Sequence, residues 1–383
     1  MNFSAGVQLF SFFKSIEPQM IEWLMELVNK DTPTTSKQAV DKLGDSLAGQ
    51  FGGLGAEVEI LPASHAGNHL VARFGRSVEK NKQLLLLGHL DTVWEIGESK
   101  KRPAKLENGR LSGPGAFDMR GGLALLIALA QYLFAACPPL KRPVTILLVS
   151  DEETGSHSAR PHIEREAAQS EIVLVMEPCL PGGAVKTARK GVGYFRITAR
   201  GVAAHAGADY AKGASAIEEI AHQIQELYRL NNLAQGTTVN VGTIRGGSRS
   251  NVVADWAEIE VDLRVSTLDE GERLAKQILG IVARNPSVQL EATGDLNRPP
   301  LERSATVIGL FEQAKTLAAE LGIELHEGST GGGSDGCFTA AMGVPTLDGL
   351  GPDGDGPHAL HEHVLVSSLV PRAALLTHLV LNL

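Results

Sequence analysis

Sulfur is scarce in this chain: only Cys137, Cys179 and Cys337 occur among 383 residues, and no two form a Cys-x-x-Cys pair. An odd, widely spaced set excludes a disulfide framework and a thiolate zinc site, and it suits a reducing compartment, so the cytoplasm is the expected location. Basic blocks are also missing. With a formal charge of −9 and no Lys/Arg-rich stretch, no nucleic-acid partner is expected. No apolar run approaches membrane-spanning length, so no membrane partner is expected either. Met1 to Phe13 has apolar residues but no basic start and no small-residue cleavage pattern, and reads as something other than a signal peptide. Internal repeats and low-complexity tracts are absent. What remains is a globular composition, 43% hydrophobic, in a chain long enough for two domains.

Against that background, the ends of the apolar runs stand out. Leu84-Leu85-Leu86-Leu87 stops at Gly88 and is followed at once by His89-Leu90-Asp91. Open α/β sheets bind ligands at the carboxyl ends of their strands, which makes this His-x-Asp a site candidate. On its own, a histidine there is also compatible with a hydrogen-bonded structural role. The construction recurs, however. Pro143 to Val149 leads into Ser150-Asp151-Glu152-Glu153-Thr154-Gly155, and Ile172 to Met176 ends at Glu177-Pro178, where proline removes a ladder donor. Between the first two runs, a glycine-rich turn from Gly113 to Gly122 presents Asp118 ahead of a small-residue helix running through Ala124 to Ala136. Gly356-Pro357-His358-Ala359-Leu360-His361-Glu362 adds further imidazoles.

Periodicity predicts helices over Glu17–Leu27 and Lys37–Phe51, strands over Val58–Leu61 and His69–Phe74, and continued α/β alternation to Pro178. The pattern then changes. Strands are predicted over Gly193–Ala199, Thr237–Ile244, Asn251–Val265 and Val288–Ala292, with helices over Ala214–Leu230 and Leu268–Ala283. This is the signature of an α+β insertion whose sheet is covered on one face. From Glu302 the α/β alternation resumes and ends in a helix from Ser367 to about Leu383. The expected fold class is therefore α/β, a mostly parallel sheet flanked by helices, with domains at 1–186 and 300–383 forming one body and 187–299 the insertion.

Imidazole and carboxylate without thiolate suits zinc and its divalent neighbours in a catalytic setting. One carboxylate such as Asp118 can bridge two ions, and two such ions can hold one hydroxide and polarise a carbonyl. Adjacent Glu152 and Glu153 point different ways as they leave a strand, so one can ligate while the other faces water. Asp-Glu-Glu is equally readable as a solvated acidic turn.

Together these segments resemble the di-zinc family of metallopeptidases and aminoacylases that includes bacterial glutamate carboxypeptidase, acetylornithine deacetylase, succinyl-diaminopimelate desuccinylase and peptidase T. Gly-His-Leu-Asp-Thr-Val, the Asp-Met-Arg-Gly-Gly turn, Asp-Glu-Glu-Thr-Gly-Ser, Glu-Pro and the late histidine occur in the family's order. The resemblance implies a zinc-exopeptidase-like fold and two zinc ions per subunit, one held by His89, Asp118 and Glu177, the other by Asp118, Glu153 and His358. Glu152 becomes the general base, and Asp91 orients His89. His358 is preferred to His361 as the late ligand. The insertion resembles a lid or dimerisation domain, implying a homodimer in which His205, within Gly201 to Gly207, steadies an oxyanion. Asn251, Arg264 and Arg298 are candidates to grip a substrate carboxylate, although each arginine is also readable as part of a structural ion pair. Gly331-Gly332-Gly333-Ser334-Asp335 matches a substrate loop and lacks the Lys-Ser/Thr of a phosphate loop. The activity implied is hydrolysis of a peptide or N-acyl bond beside a free carboxylate, most like glutamate carboxypeptidase. An N-acyl-amino-acid deacylase is the alternative, and a silent metal-binding scaffold a third reading.

Overall fold

A computed structural model describes residues 3–75 and 82–383. The chain forms two compact units, one from Met1–Ala188, Arg303–Ser329 and Ser334–Leu383, the other from Arg189–Glu302 and Thr330–Gly333.

The first unit is built on a six-stranded sheet in the order Glu57–Leu61, His69–Phe74, Val144–Val149, Gln83–His89, Ser170–Val175, Thr346–Leu347. Only His69–Phe74 runs antiparallel to its neighbours. Gln83–His89 and Val144–Val149 are buried at every position, as strands covered on both faces must be. Alternation divides their side chains between two cores. Leu84 and Leu86 join the cluster containing helices Gly121–Ala136 and Leu369–Asn382, while Leu85, Leu87, Leu147 and Val149 meet Ile163 and Phe338 on the other side.

Register sets the level of the strand ends. His89 lies beside Val149 and Leu87 beside Val175, so the residues after these strands emerge along one rim. The helix Gly121–Ala136 reaches that rim closely; a Cβ at Gly122 would stand 2.3 Å from the Met176 carbonyl oxygen. Joined to the preceding turn, Ala116–Ala136 spans 21 residues of mean hydropathy 1.5, long and apolar enough by length and composition to cross a membrane. Its burial explains the hydropathy, since Leu123 to Ala130 are all enclosed in the core.

A second, four-stranded antiparallel sheet was not anticipated. It orders Gly354–Asp355, His363–Leu365, Arg110–Ser112 and Lys105–Glu107, pairing His363 with Ser112 and Val364 with Leu111. These strands are too short for periodicity to register. They fasten the late histidine segment to the chain just before the Asp118 turn. The helix Phe3–Ser15 was likewise not foreseen.

In the second unit, an antiparallel sheet runs Thr238–Gly246, Trp256–Val265, Gly191–Arg200, Gln289–Arg298. Helices Ala216–Tyr228 and Leu268–Leu279 contribute Ile220, Leu227, Leu274 and Ile278 to a core with Phe195, Ile197, Ile259, Val261 and Leu263. The boundaries that differ most from expectation are three. The Trp256–Val265 strand starts five residues later than Asn251, and Gly280 caps the second helix well before Ala283. The closing strand continues to Arg298 through a register shift after Asp295, following Gly294 at φ +126°. Thr330–Gly333 also joins this unit, because Arg189 donates to the carbonyls of Gly332 and Gly333 at 3.2 and 2.9 Å.

Candidate metal centre

Five segments of the first unit deliver the site. His89 ends its strand and is almost wholly buried. Its Nε2 lies 3.2 Å from Asp118 Oδ1 and 3.5 Å from Glu177 Oε1. The other Asp118 oxygen, Oδ2, lies 3.3 Å from His358 Nε2, which is 3.2 Å from Glu153 Oε2. Asp118 therefore stands between two imidazoles, one on each oxygen. Donor atoms bound to one tetrahedral cation at about 2.0–2.1 Å lie about 3.3–3.4 Å apart, and these separations match that edge. Two overlapping groups, His89–Asp118–Glu153 and His89–Glu152–Glu177, each bring their donors within 4.8 Å of one another.

The electrostatics are those of a carboxylate-rich pocket. The contacts from Asp118 and Glu153 push the His358 imidazole up to about 11. Against the cost of burial, hydrogen bonds with Asp118, Asp91 and Glu177 raise His89 as well. Burial opposes ionisation of Asp118, but the two imidazoles hold it well below the usual carboxylate range. Burial, reinforced by the Asp118 charge, raises Glu153 to about 7. Its Oε1 is buried without a hydrogen-bond partner. A buried, orphaned carboxylate oxygen beside imidazole donors is a site waiting for a cation, and the donor set fits a divalent one.

Asp91 supports both sides. It lies 3.4 Å from His89 Nδ1, accepts Thr34 Oγ1–H at 2.6 Å, and accepts the backbone N–H groups of Glu152 and Glu153 at 3.3 and 3.1 Å. Burial opposes its charge, but the His89 contact lowers it overall. Asp91 thus orients the first imidazole and the Glu152–Glu153 turn together. His361 is directed elsewhere: its Nε2 lies 3.9 Å from Asp355.

Several contributors carried no recognisable sequence signal. Arg120 is buried and donates to the Leu90 carbonyl at 2.9 Å and to Thr32, bracing the His89 strand end. Glu362, to which the sequence assigned no role, accepts three backbone N–H groups around Asp118. An isolated Arg or Glu in a loop gives no indication of which backbone groups it will meet. Cys179 donates its thiol to the Pro352 carbonyl at 3.3 Å, and burial pushes its pKa up, so it behaves as a small buried residue.

The remaining candidates lie in the second unit. His205 is paired across an isolated bridge with Val252, and Ala206 N–H donates to the Asn251 carbonyl at 3.0 Å, so His205 and Asn251 are neighbours. His205 Nδ1 accepts N–H groups from Gly207 and Ala208 at 3.1 and 3.0 Å, which leaves Nε2 as the protonated nitrogen, a donor. Arg264 forms a two-pronged pair with Asp262, both contacts at 2.8 Å, and its fork is engaged there. Arg298 is buried beside Gly333, where an added Cβ would stand 2.8 Å from Arg298 Cδ.

The sequence profile of the peptidase family M20/M25/M40 matches residues 85–382. This chain belongs to that family. Among relatives of this M20-family protein, carboxypeptidase G2 of Pseudomonas sp. (strain RS-16) is 27% identical over 98% of this chain and 92% of its own length. An acetylornithine deacetylase of Edwardsiella ictaluri is 29% identical over 90% and 91%. A solved Bacillus subtilis protein, described as a dinuclear metal-binding peptidase from the M20 family, superposes with a TM-score of 0.70 at 16% identity, covering 96% of this chain and 98% of that one. The protein is a metal-dependent hydrolase of peptide or amide bonds, with the mixed α/β fold of M20 peptidases.

Proposed function

We propose that this protein is a two-zinc hydrolase that releases an amino acid from a peptide or N-acyl bond next to a free carboxylate, with glutamate carboxypeptidase-like specificity. The observation that carries the reading is Asp118, with one imidazole on each oxygen and a further carboxylate, Glu177 or Glu153, beside each imidazole. His89, Asp118 and Glu177 would hold one ion, and Asp118, Glu153 and His358 the other. Bound there, the cations supply Lewis acidity toward the scissile carbonyl and acidify water. Glu152 takes the attacking water's proton and returns it to the leaving nitrogen. Its carboxylate reaches within 4.8 Å of the His89 and Glu177 donors, which supports that role. His205 supplies its Nε2–H to the developing oxyanion.

Arg298 and Asn251 are proposed to recognise the substrate carboxylate; Arg264, engaged by Asp262, is the weakest of the three candidates. The similarity to carboxypeptidase G2 over nearly the full length of both chains supports this specificity. The acetylornithine deacetylase relative favours a second reading, an N-acyl-amino-acid deacylase using the same centre. We also propose a homodimer through the inserted unit, supported by the edge strand Thr238–Gly246 with Ile244 60% exposed. A cytoplasmic location and small-molecule or peptide substrates, not nucleic acid or membranes, agree with three thiols that form no disulfide and with the acidic balance.

A panel of acyl-glutamates, dipeptides and acetylated amino acids, assayed with the zinc-loaded protein, tests the reading. Fastest turnover of the acyl-glutamates and dipeptides ending in glutamate is expected. Preference for acetylated amino acids would select the deacylase, and hydrolysis of none would overturn both.

A further inference from the structure

Glu362 is completely buried, and its two carboxylate oxygens collect four N–H donors. Oε1 accepts the backbone N–H groups of Phe117 and Asp118 at 3.0 and 2.9 Å. Oε2 accepts Gly115 N–H at 2.8 Å and the Trp94 indole N–H at 2.9 Å. Gly115 sits at φ +72°, a left-handed conformation that turns the peptide inward. The loop thus forms a concave nest of N–H groups around one anion, and hydrogen bonds to an ionised acceptor are the strong kind. The carboxylate also belongs to the segment that carries His358, four residues earlier in the chain. Its backbone joins the same two loops, because Gly113 N–H donates to the Glu362 carbonyl at 3.3 Å.

A third loop is tied in through Trp94. The Arg102 guanidinium lies 4.2 Å over the indole ring, bonds Glu98 at 2.6 Å and donates to the Leu360 carbonyl at 3.1 Å. The segment after Asp91, the Asp118 turn and the His358 loop therefore share one buried anchor. Glu362 is not a member of either donor group. It acts on the backbone of a residue that is, Asp118.

We propose that Glu362 is a positioning residue that fixes Asp118 between His89 and His358 and thereby sets the affinity for the cation shared by Asp118, Glu153 and His358. The inference rests on the metal-centre reading above. Its test therefore uses metal alone, apart from turnover. Apo-protein is titrated with zinc against a competing chelator, and kcat and KM are measured separately on the best substrate of the panel. Glu362→Gln keeps the shape but turns an amide N–H toward the nest. Metal affinity at one site should fall about 10- to 100-fold, the range found when groups that orient metal ligands are replaced, with kcat falling and KM held within about threefold. Trp94→Phe removes one donor of four and keeps a ring under Arg102, so a smaller loss, about threefold, is expected.

Wild-type protein that takes up no metal would remove the centre itself, and this role with it. Metal uptake by the wild type and equal affinity in folded Glu362→Gln would overturn only the positioning role, whatever happens to kcat. Should Glu362→Gln fail to fold, unchanged metal affinity in Trp94→Phe overturns the proposal.

Discussion

Gln83–His89 in the first unit is buried along its whole length, whereas Trp256–Val265 in the second alternates between buried and half-buried residues. A strand covered on both faces has only its ends free for polar chemistry, and the first unit places His89, Glu152, Glu153 and Glu177 just there. A sheet covered on one face distributes its polar groups over the other. In the second unit, Arg196 on that face meets Glu260 at 3.1 Å, an exposed pair of the sort that adds little to stability. Double coverage concentrates reactive groups, and single coverage disperses them.

The sharpest test of this division removes the proton carrier from the rim. Glu152→Ala should lower kcat by about 10²–10⁴-fold while zinc content stays at the wild-type level, read by steady-state kinetics and metal analysis. Substantial residual turnover would take the chemistry away from the strand ends. A smaller effect is expected from Ile259→Ala, which opens a hole in the core of the second unit. It should cost that unit about 2–5 kcal/mol in a denaturant melt and leave metal binding by the first unit unchanged. Loss of metal in this variant would break the comparison, because the two cores would then stand or fall together.

The smallest effect concerns pH. His69 is buried and accepts Ser150 N–H on Nδ1 at 3.2 Å, so its proton resides on Nε2, 3.2 Å from Ser158 Oγ. Ser158 in turn donates to Asp151 at 2.9 Å. Burial lowers this imidazole to about 4. Because the folded form binds its proton less readily than the unfolded chain, the contribution is whole above about 6.5 and is lost as pH falls from there to about 4. At 1.36 kcal/mol per unit over about 2.5 pH units, the loss is at most about 3–4 kcal/mol. His69→Gln should flatten this part of the stability profile; an unchanged acid limb would show that His69 has no part in it.

Much of this was legible in the chain. Leu84 to Leu87 and Val144 to Val149 announced fully covered strands because no charged residue interrupts them and Thr145 is the one hydroxyl among them, and the residues that follow formed the visible pattern of candidate ligands. The Lys37–Gly53 helix was legible by its periodicity. The braces were not. Glu362 accepts backbone N–H groups 244 to 247 residues earlier, Arg120 donates to the Leu90 carbonyl 30 residues earlier, and Thr34 donates to the Asp91 carboxylate 57 residues later, and no spacing rule encodes such pairings. The two- and three-residue strands that bring His358 to Asp118 span no more than one and a half periods of alternation, too little for a pattern to register. Arg264 shows the converse: its residue type suggested a ligand grip, and only its neighbour Asp262 reveals an ion pair.

The division of the first unit around an insertion has a bearing on biosynthesis. His358 is translated after the whole of Arg189–Glu302, whereas His89, Asp118, Glu153 and Glu177 all precede it. Domains tend to fold as their sequence leaves the ribosome, so the inserted unit has the opportunity to form first. The nascent polypeptide meanwhile exposes an unfinished cluster of carboxylates with a single imidazole. With His358 as the proposed late ligand, complete cation loading would be deferred to a late stage of maturation, after the insertion has been made.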